Sequence, residues 1–153
     1  MNFSPQSDPA YGVMAHWMQQ WSDLETRLAA LLLAPGAQPD FPSQLDALHQ
    51  QAHGLLMLDA DSSLYWLFQL AASSTVAYSA SHAMVCWALC QQVADELGRP
   101  ASERDSLARA ALTMNLSMTR LQDTLAEQPT PPTPEQRALI DTHAGAGLYR
   151  LDS

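Results

Sequence analysis

Lysine is absent from this chain of 153 residues, and seven arginines stand against 16 aspartates and glutamates, a formal net charge of −9. No Schiff-base, Walker-type or lysine-nucleophile chemistry is open to it. Phosphate binding needs a basic patch that releases counterions, and seven scattered arginines do not make one; nucleic acid and anionic membrane surfaces are disfavoured as partners. β-Branched aliphatic residues are also scarce: four Val and one Ile stand beside 23 Leu and 24 Ala. That composition suits helices rather than a pleated sheet and predicts an all-α protein. Long apolar runs are missing too. The longest, Ala83 to Cys90, has eight residues, far short of the roughly 18 or more of a membrane span. The first residues lack the basic and apolar regions of a signal peptide. A cytoplasmic protein is expected, with its two cysteines, Cys86 and Cys90, reduced.

Apolar residues make up 47% of the chain and charged ones 15%, enough to bury a core under a surface finished by Gln, Ser and Thr. Residues 1–9 read as a flexible arm and residues 10–153 as a single helical domain, a bundle of five to seven helices. A first helix is predicted over Ala10 to Ala34, with Val13, Trp17, Trp21, Leu24, Leu28 and Leu31 on one face. Pro35 and Gly36 stop it. Ser43 is placed to cap a helix carrying Leu45, Leu48, Ala52, Leu55 and Leu56. The polar stretch Asp59 to Ser63 bends the chain before a helix over Leu64 to Ala72, and Ser73 to Ser81 fits either a loop or a helix entry. His82 to Leu97 is apolar on most sides, as a central helix is, and ends at Gly98 and Pro100. Ser102 and Asp105 resemble a capping box that opens a further helix, whose seam of Leu107, Ala111, Met114, Met118, Leu121 and Leu125 suits the central helix or a second subunit. Four prolines between Pro129 and Pro134 make a stiff connection, after which Thr133, Pro134 and Gln136 start a last helix carrying Ala138, Leu139 and His143 before Gly145 and Gly147.

Several constellations have bland readings. His49 and His53 sit four apart, a spacing that lets two imidazoles share a metal, but Gln50 stands where a zinc-protease motif needs Glu. Partly exposed helix histidines are the simpler reading. Cys86 and Cys90 read as core, and Trp17 with Trp21 as a packing stripe. Asp59, Asp61 and Ser63 mimic the opening of a calcium loop, yet Leu64 and Leu70 occupy its glycine and closing glutamate positions, which leaves a helix cap.

From about Tyr78 to Leu148 the order of motifs is more informative. A His opens an apolar helix, Ala110-Ala111-Leu112 follows, and then comes P-T-P-E-Q at Pro132 to Gln136, leading through Ala138-Leu139-Ile140 to His143. This order resembles the HD superfamily of metal-dependent phosphohydrolases, most closely the HD-GYP branch that hydrolyses cyclic di-GMP. The resemblance implies an HD-domain-like helical bundle. It places His82 at the family's first metal-ligand histidine and His143 at the histidine after the T-P-E-x helix. The His-Asp pair that names the superfamily falls on Met114 and Asn115, and the following I-G-K on Leu116-Ser117-Met118. A family proline is Ala144 here.

Met is a poor donor to hard divalent ions and Asn offers only a neutral carbonyl, whereas the family's chemistry needs His and a bridging carboxylate. His82, Met114, Asn115 and His143 are therefore expected to be vestigial, with no catalytic residue, bound metal or other cofactor. Ser153 also falls before the place of the family's later paired histidines and G-Y-P segment, so a fragment or a short relative is expected. The implied function is a catalytically degenerate HD-GYP-like signalling domain that binds a protein partner or self-associates, a homodimer being the expected form. The alternative is a phosphohydrolase using iron, manganese or zinc through His82 and His143, with Asp123 or Asp141 assisting.

Overall fold

The computed structural model describes residues 9–37, 40–73 and 78–152. The expected arm lies outside them except for Pro9, which opens the first helix. Seven α-helices and no strand are present among the described residues: α1 (Pro9–Leu33), α2 (Phe41–Leu58), α3 (Ala60–Ser73), α4 (Tyr78–Glu96), α5 (Ala101–Thr113), α6 (Thr119–Glu127) and α7 (Pro134–Asp152), with short 3-10 turns at Pro35–Ala37 and Leu116–Met118. The expectation of an all-α bundle holds.

Helix α4 packs against α1, α3, α5 and α6, which makes it the centre of the bundle as its all-round apolar sequence requires. One buried cluster joins Trp21 and Leu28 of α1, Leu48 and Leu56 of α2, Leu67 of α3, Met84 and Trp87 of α4, and Leu112 of α5. Trp21 meets Trp17 edge to face, with ring centroids 6.3 Å apart, so the pair is a packing stripe. The five apolar residues expected on the buried face of α2 are all buried. On α1 the stripe stops short of the N-terminus, where Val13 is 71% exposed.

Helix ends explain most departures from the sequence reading. Ser43 does not cap α2; the helix starts two residues earlier, behind Asp40 in the left-handed region (φ 64°) and with a proline in its first turn. The polar stretch after α2 interrupts the helix as expected, in a tight joint. Asp59 breaks the helix, its carboxylate accepts from the Ser62 amide at 3.0 Å, and α3 begins at Ala60, four residues before the expected start. Buried Ser63 ties the joint back by donating to the Leu55 carbonyl at 3.3 Å. Helix α4 extends upstream to Tyr78, and the rest of the undecided stretch, residues 74–77, lies outside the described residues. Its C-terminus closes as expected: Gly98 (φ 61°) and Arg99 donate to the carbonyls of Asp95 and Ala94, a Schellman arrangement that needs a left-handed residue at Gly98.

Ser102 is not a cap either. Helix α5 starts behind Pro100, whose fixed φ of −56° suits a helix entry. The single long helix expected from Ser102 to Leu125 is two helices. Met114 and Asn115 form a turn, residues Leu116–Met118 a 3-10 turn, and α6 follows as a separate helix. The backbone leaves the helical region at Asn115 (φ −110°) and Met118 (φ −120°), and the Asn115 carbonyl accepts from the Met118 amide in a 3-10 bond at 2.9 Å and from the Thr119 hydroxyl at 3.3 Å. The cap at Thr133 is present in full. Its hydroxyl accepts from the Gln136 amide at 3.3 Å, and the Gln136 side chain accepts from the Thr133 amide at 2.8 Å. Helix α7 then runs through Gly145 and Gly147 to Asp152 instead of ending at them.

Candidate functional site

The four positions marked by the HD resemblance fall in different surroundings. His82 is half-buried on α4, stacked on Tyr78 with ring centroids 5.7 Å apart and with Cys86 Sγ 3.7 Å from its Nε2. Burial pushes the Cys86 thiol above its ordinary value, with Cys90 adding to the effect, so Cys86 is held as the neutral thiol. Both cysteines are free and half-buried, and Cys90 packs on the core. Met114 and Asn115 sit half-buried in the turn after α5.

His143 lies on α7, its Nδ1 bonded to the Ile140 carbonyl and its own carbonyl accepting from Ser117 Oγ at 2.6 Å. It lines a cavity beside the 3-10 turn, and none of His82, Met114 and Asn115 lines that cavity with it. No group of three or more His, Cys, Asp or Glu side chains is placed to hold a metal ion among the described residues. Asp123, one of the two carboxylates considered for metal binding, accepts instead from the Ser79 amide at 2.8 Å in the first turn of α4. Asp141 is exposed on α7.

A second constellation joins α2, α4 and α5. The indole N–H of fully buried Trp87 donates to His49 Nδ1 at 3.0 Å, and the two rings meet edge to face. An indole nitrogen can only donate, so His49 carries its single proton on Nε2, which faces Asp105 Oδ1 at 3.7 Å. Burial lowers the tendency of His49 to take a second proton, and His53, with its ring 6.0 Å away, lowers it further; Asp105 works the other way. One turn along α2, Asp46 takes a two-pronged bond from Arg109 of α5, at 2.7 and 3.1 Å. The Arg109 guanidinium holds the Asp46 carboxyl below the usual carboxylate range.

His49 and His53 are half-buried, the partly exposed helix histidines expected, and both His49 nitrogens face partners from α4 and α5. The i,i+4 spacing alone did not show this. The signal available was Trp87 itself: a buried indole N–H usually pairs with an acceptor, and His49 is the acceptor that α2 brings to it, whereas the buried indole nitrogens of Trp21 and Trp66 have none among the described residues.

Comparison with protein-family models, with curated proteins and with solved structures gave no match. The HD resemblance accordingly rests on the order of motifs between Tyr78 and Leu148. No helix among the described residues is long and apolar enough to cross a membrane.

Proposed function

We propose that the chain is a non-catalytic, HD-GYP-like signalling domain that acts through its surface, by pairing with a second copy of itself. The observation that carries this reading is α7. Of its 19 residues only Gly147 is buried among those whose side chains are described, while Leu139, Leu148, Tyr149 and Leu151 are exposed by 49% or more. A helix gains most of its stability from an apolar face packed on something else, and α7 packs chiefly on the 3-10 turn. Exposed apolar side chains on a helix that its own chain covers little leave surface that a second copy can bury.

The seam expected to form such a contact is a poorer candidate. Leu107 is 39% exposed, but Ala111 is buried and Met114, Met118, Leu121 and Leu125 are half-buried within one chain. The non-catalytic half of the reading rests on donor chemistry: Met114 and Asn115 supply neither an imidazole nor a carboxylate where the family uses both.

Sedimentation equilibrium tests the first half. A dimer is expected, and Leu148→Glu with Tyr149→Glu is expected to convert it to a monomer of unchanged helix content. A monomer at every accessible concentration would remove the proposal. Turnover of cyclic di-GMP with manganese or iron, abolished by His82→Ala and by His143→Ala, would overturn the second half.

A further inference from the structure

Helix α7 is joined to the bundle at two places. At its middle, the His143 carbonyl accepts from Ser117 Oγ at 2.6 Å, and a Cβ added at buried Gly147 would stand 4.0 Å from the same oxygen. At its N-terminus it hangs from α6 by the connector 128–133. The chain thus leaves the end of α6 and returns to the 3-10 turn that precedes α6, packing chiefly on that turn. A cavity of about 270 Å³ stays open between the turn, α6 and α7, with Leu116, Leu121 and Leu139 on its walls.

The connector holds its shape through side chains. Four of the six residues from Pro129 to Pro134 are proline, so the stretch keeps only two backbone N–H groups and favours an extended course. It is nevertheless looped, because Gln128 and Gln136 exchange amide bonds at 2.8 and 3.3 Å across its base. The Gln128 amide also donates to the Thr130 and Pro131 carbonyls, at 2.9 and 3.1 Å. Both of these carbonyl bonds are exposed, and water can take their place at little cost. A segment that favours extension is therefore held folded by exchangeable bonds, and the helix beyond it touches its own chain mainly at one turn.

We propose that α7 exchanges between two copies of the chain: the connector extends, and each α7 seats on the 3-10 turn of the other copy. This presupposes that the chain pairs with itself, and it names the element that makes the contact. The bonds of α7 to the 116–118 turn and the Gln128–Gln136 pair are remade between chains, so the exchange gives up only the Gln128 bonds to its own connector. Extended, the six residues 128–133 reach ~19 Å, at about 3.1 Å each. Two bundles drawn together by crossed connectors also leave less of the exposed α7 surface, Leu148 and Tyr149 included, in water.

A cross-link tells exchange from face-to-face pairing. Ser117→Cys with Gly147→Cys, in a chain carrying Cys86→Ala and Cys90→Ala, puts two thiols at a contact that lies within one chain before exchange and between chains after it. Oxidation of the dimer fraction at high dilution, followed by non-reducing denaturing electrophoresis, is expected to give a covalent dimer. A cross-link confined to single chains, in a sample that sedimentation shows to be dimeric, would overturn exchange and leave self-association standing. A monomer at every concentration would remove both. Gln128→Ala supplies a measurement that needs no new cysteine. It weakens the closed connector and spares the α7 cap, so it is expected to tighten the dimer about fivefold, the equivalent of roughly one net hydrogen bond. Face-to-face pairing gains nothing from this change. A dimer constant that is unaltered or weaker in sedimentation equilibrium, with the helix content preserved by circular dichroism, would overturn the proposal.

Discussion

Replacing Trp87 by Phe separates two effects that the structure ties together. The indole is fully buried, so the smaller ring leaves a void, and its N–H bond to His49 Nδ1 at 3.0 Å is lost. The lost hydrogen bond costs about 1 kcal/mol and the void another 1–2, roughly 2–3 kcal/mol in all. For a chain of this size that lowers the melting temperature by about 5–10 °C. The pH dependence is the sharper test. His49 is held below its ordinary pKa by burial and by His53, so the unfolded chain binds a proton that the folded chain refuses. The stabilising contribution is whole above the unfolded value, about 6.5, and declines as the pH falls through it toward the folded one. In the wild type a proton on Nδ1 would have to displace the Trp87 N–H; in Trp87→Phe nothing opposes it there. The deficit of the variant should therefore shrink by about 1 kcal/mol between pH values of about 7.5 and about 5.5. Urea denaturation at both pH values measures it. A deficit of the same size at both would mean that Trp87 does not hold His49 in the neutral form, and the reasoning would fall.

Asp40→Gly should raise stability by about 0.5–1 kcal/mol, because Asp40 holds a positive φ with no side-chain capping bond to lose; thermal melts check this, and a lower melting temperature would contradict it. Gly98→Ala should cost about 1 kcal/mol, since Gly98 sits at φ 61° with open space around it and only the backbone conformation resists the methyl group. Gln136→Ala should lose about 1 kcal/mol and speed amide exchange at the start of α7, because it removes one arm of the capping box and the amide pair with Gln128. Met114→His with Asn115→Asp should leave phosphodiesterase activity undetectable in a manganese-supplemented assay, because that pair stands apart from the cavity lined by His143; measurable turnover would contradict it.

The buried faces were legible because a 3.6-residue period reports them directly. Leu45, Leu48, Ala52, Leu55 and Leu56 fall where the pattern on α2 puts them, and Gly98 marks the end of α4. Helix starts were less legible. Ser43 and Ser102 have the right chemistry for a cap, but prolines just upstream, Pro42 and Pro100, already preset the backbone for helix entry. The division between α5 and α6 was hidden for another reason: an apolar seam at steps of three and four continues across Met114 and Asn115, and periodicity cannot register the non-helical backbone at Asn115 and Met118 that interrupts it. The His49, Trp87 and Asp105 constellation was out of reach because its members lie on three helices, and which helix faces come together is decided by packing rather than by spacing along any one of them.

The bond from the Ser79 amide to Asp123 has a consequence for the order of assembly. A helix N-terminus leaves its first amides unsatisfied, and α4, the centre of the bundle, receives a carboxylate for one of them from a residue 44 positions later in the chain. In a partly synthesised chain water can take the place of that carboxylate, so the helix can form first and gain this bond only when α6 docks. Closing a segment of that length costs only modestly more entropy than closing a short one. Exchange at the Ser79 amide therefore reports the docking of α6 rather than the formation of α4.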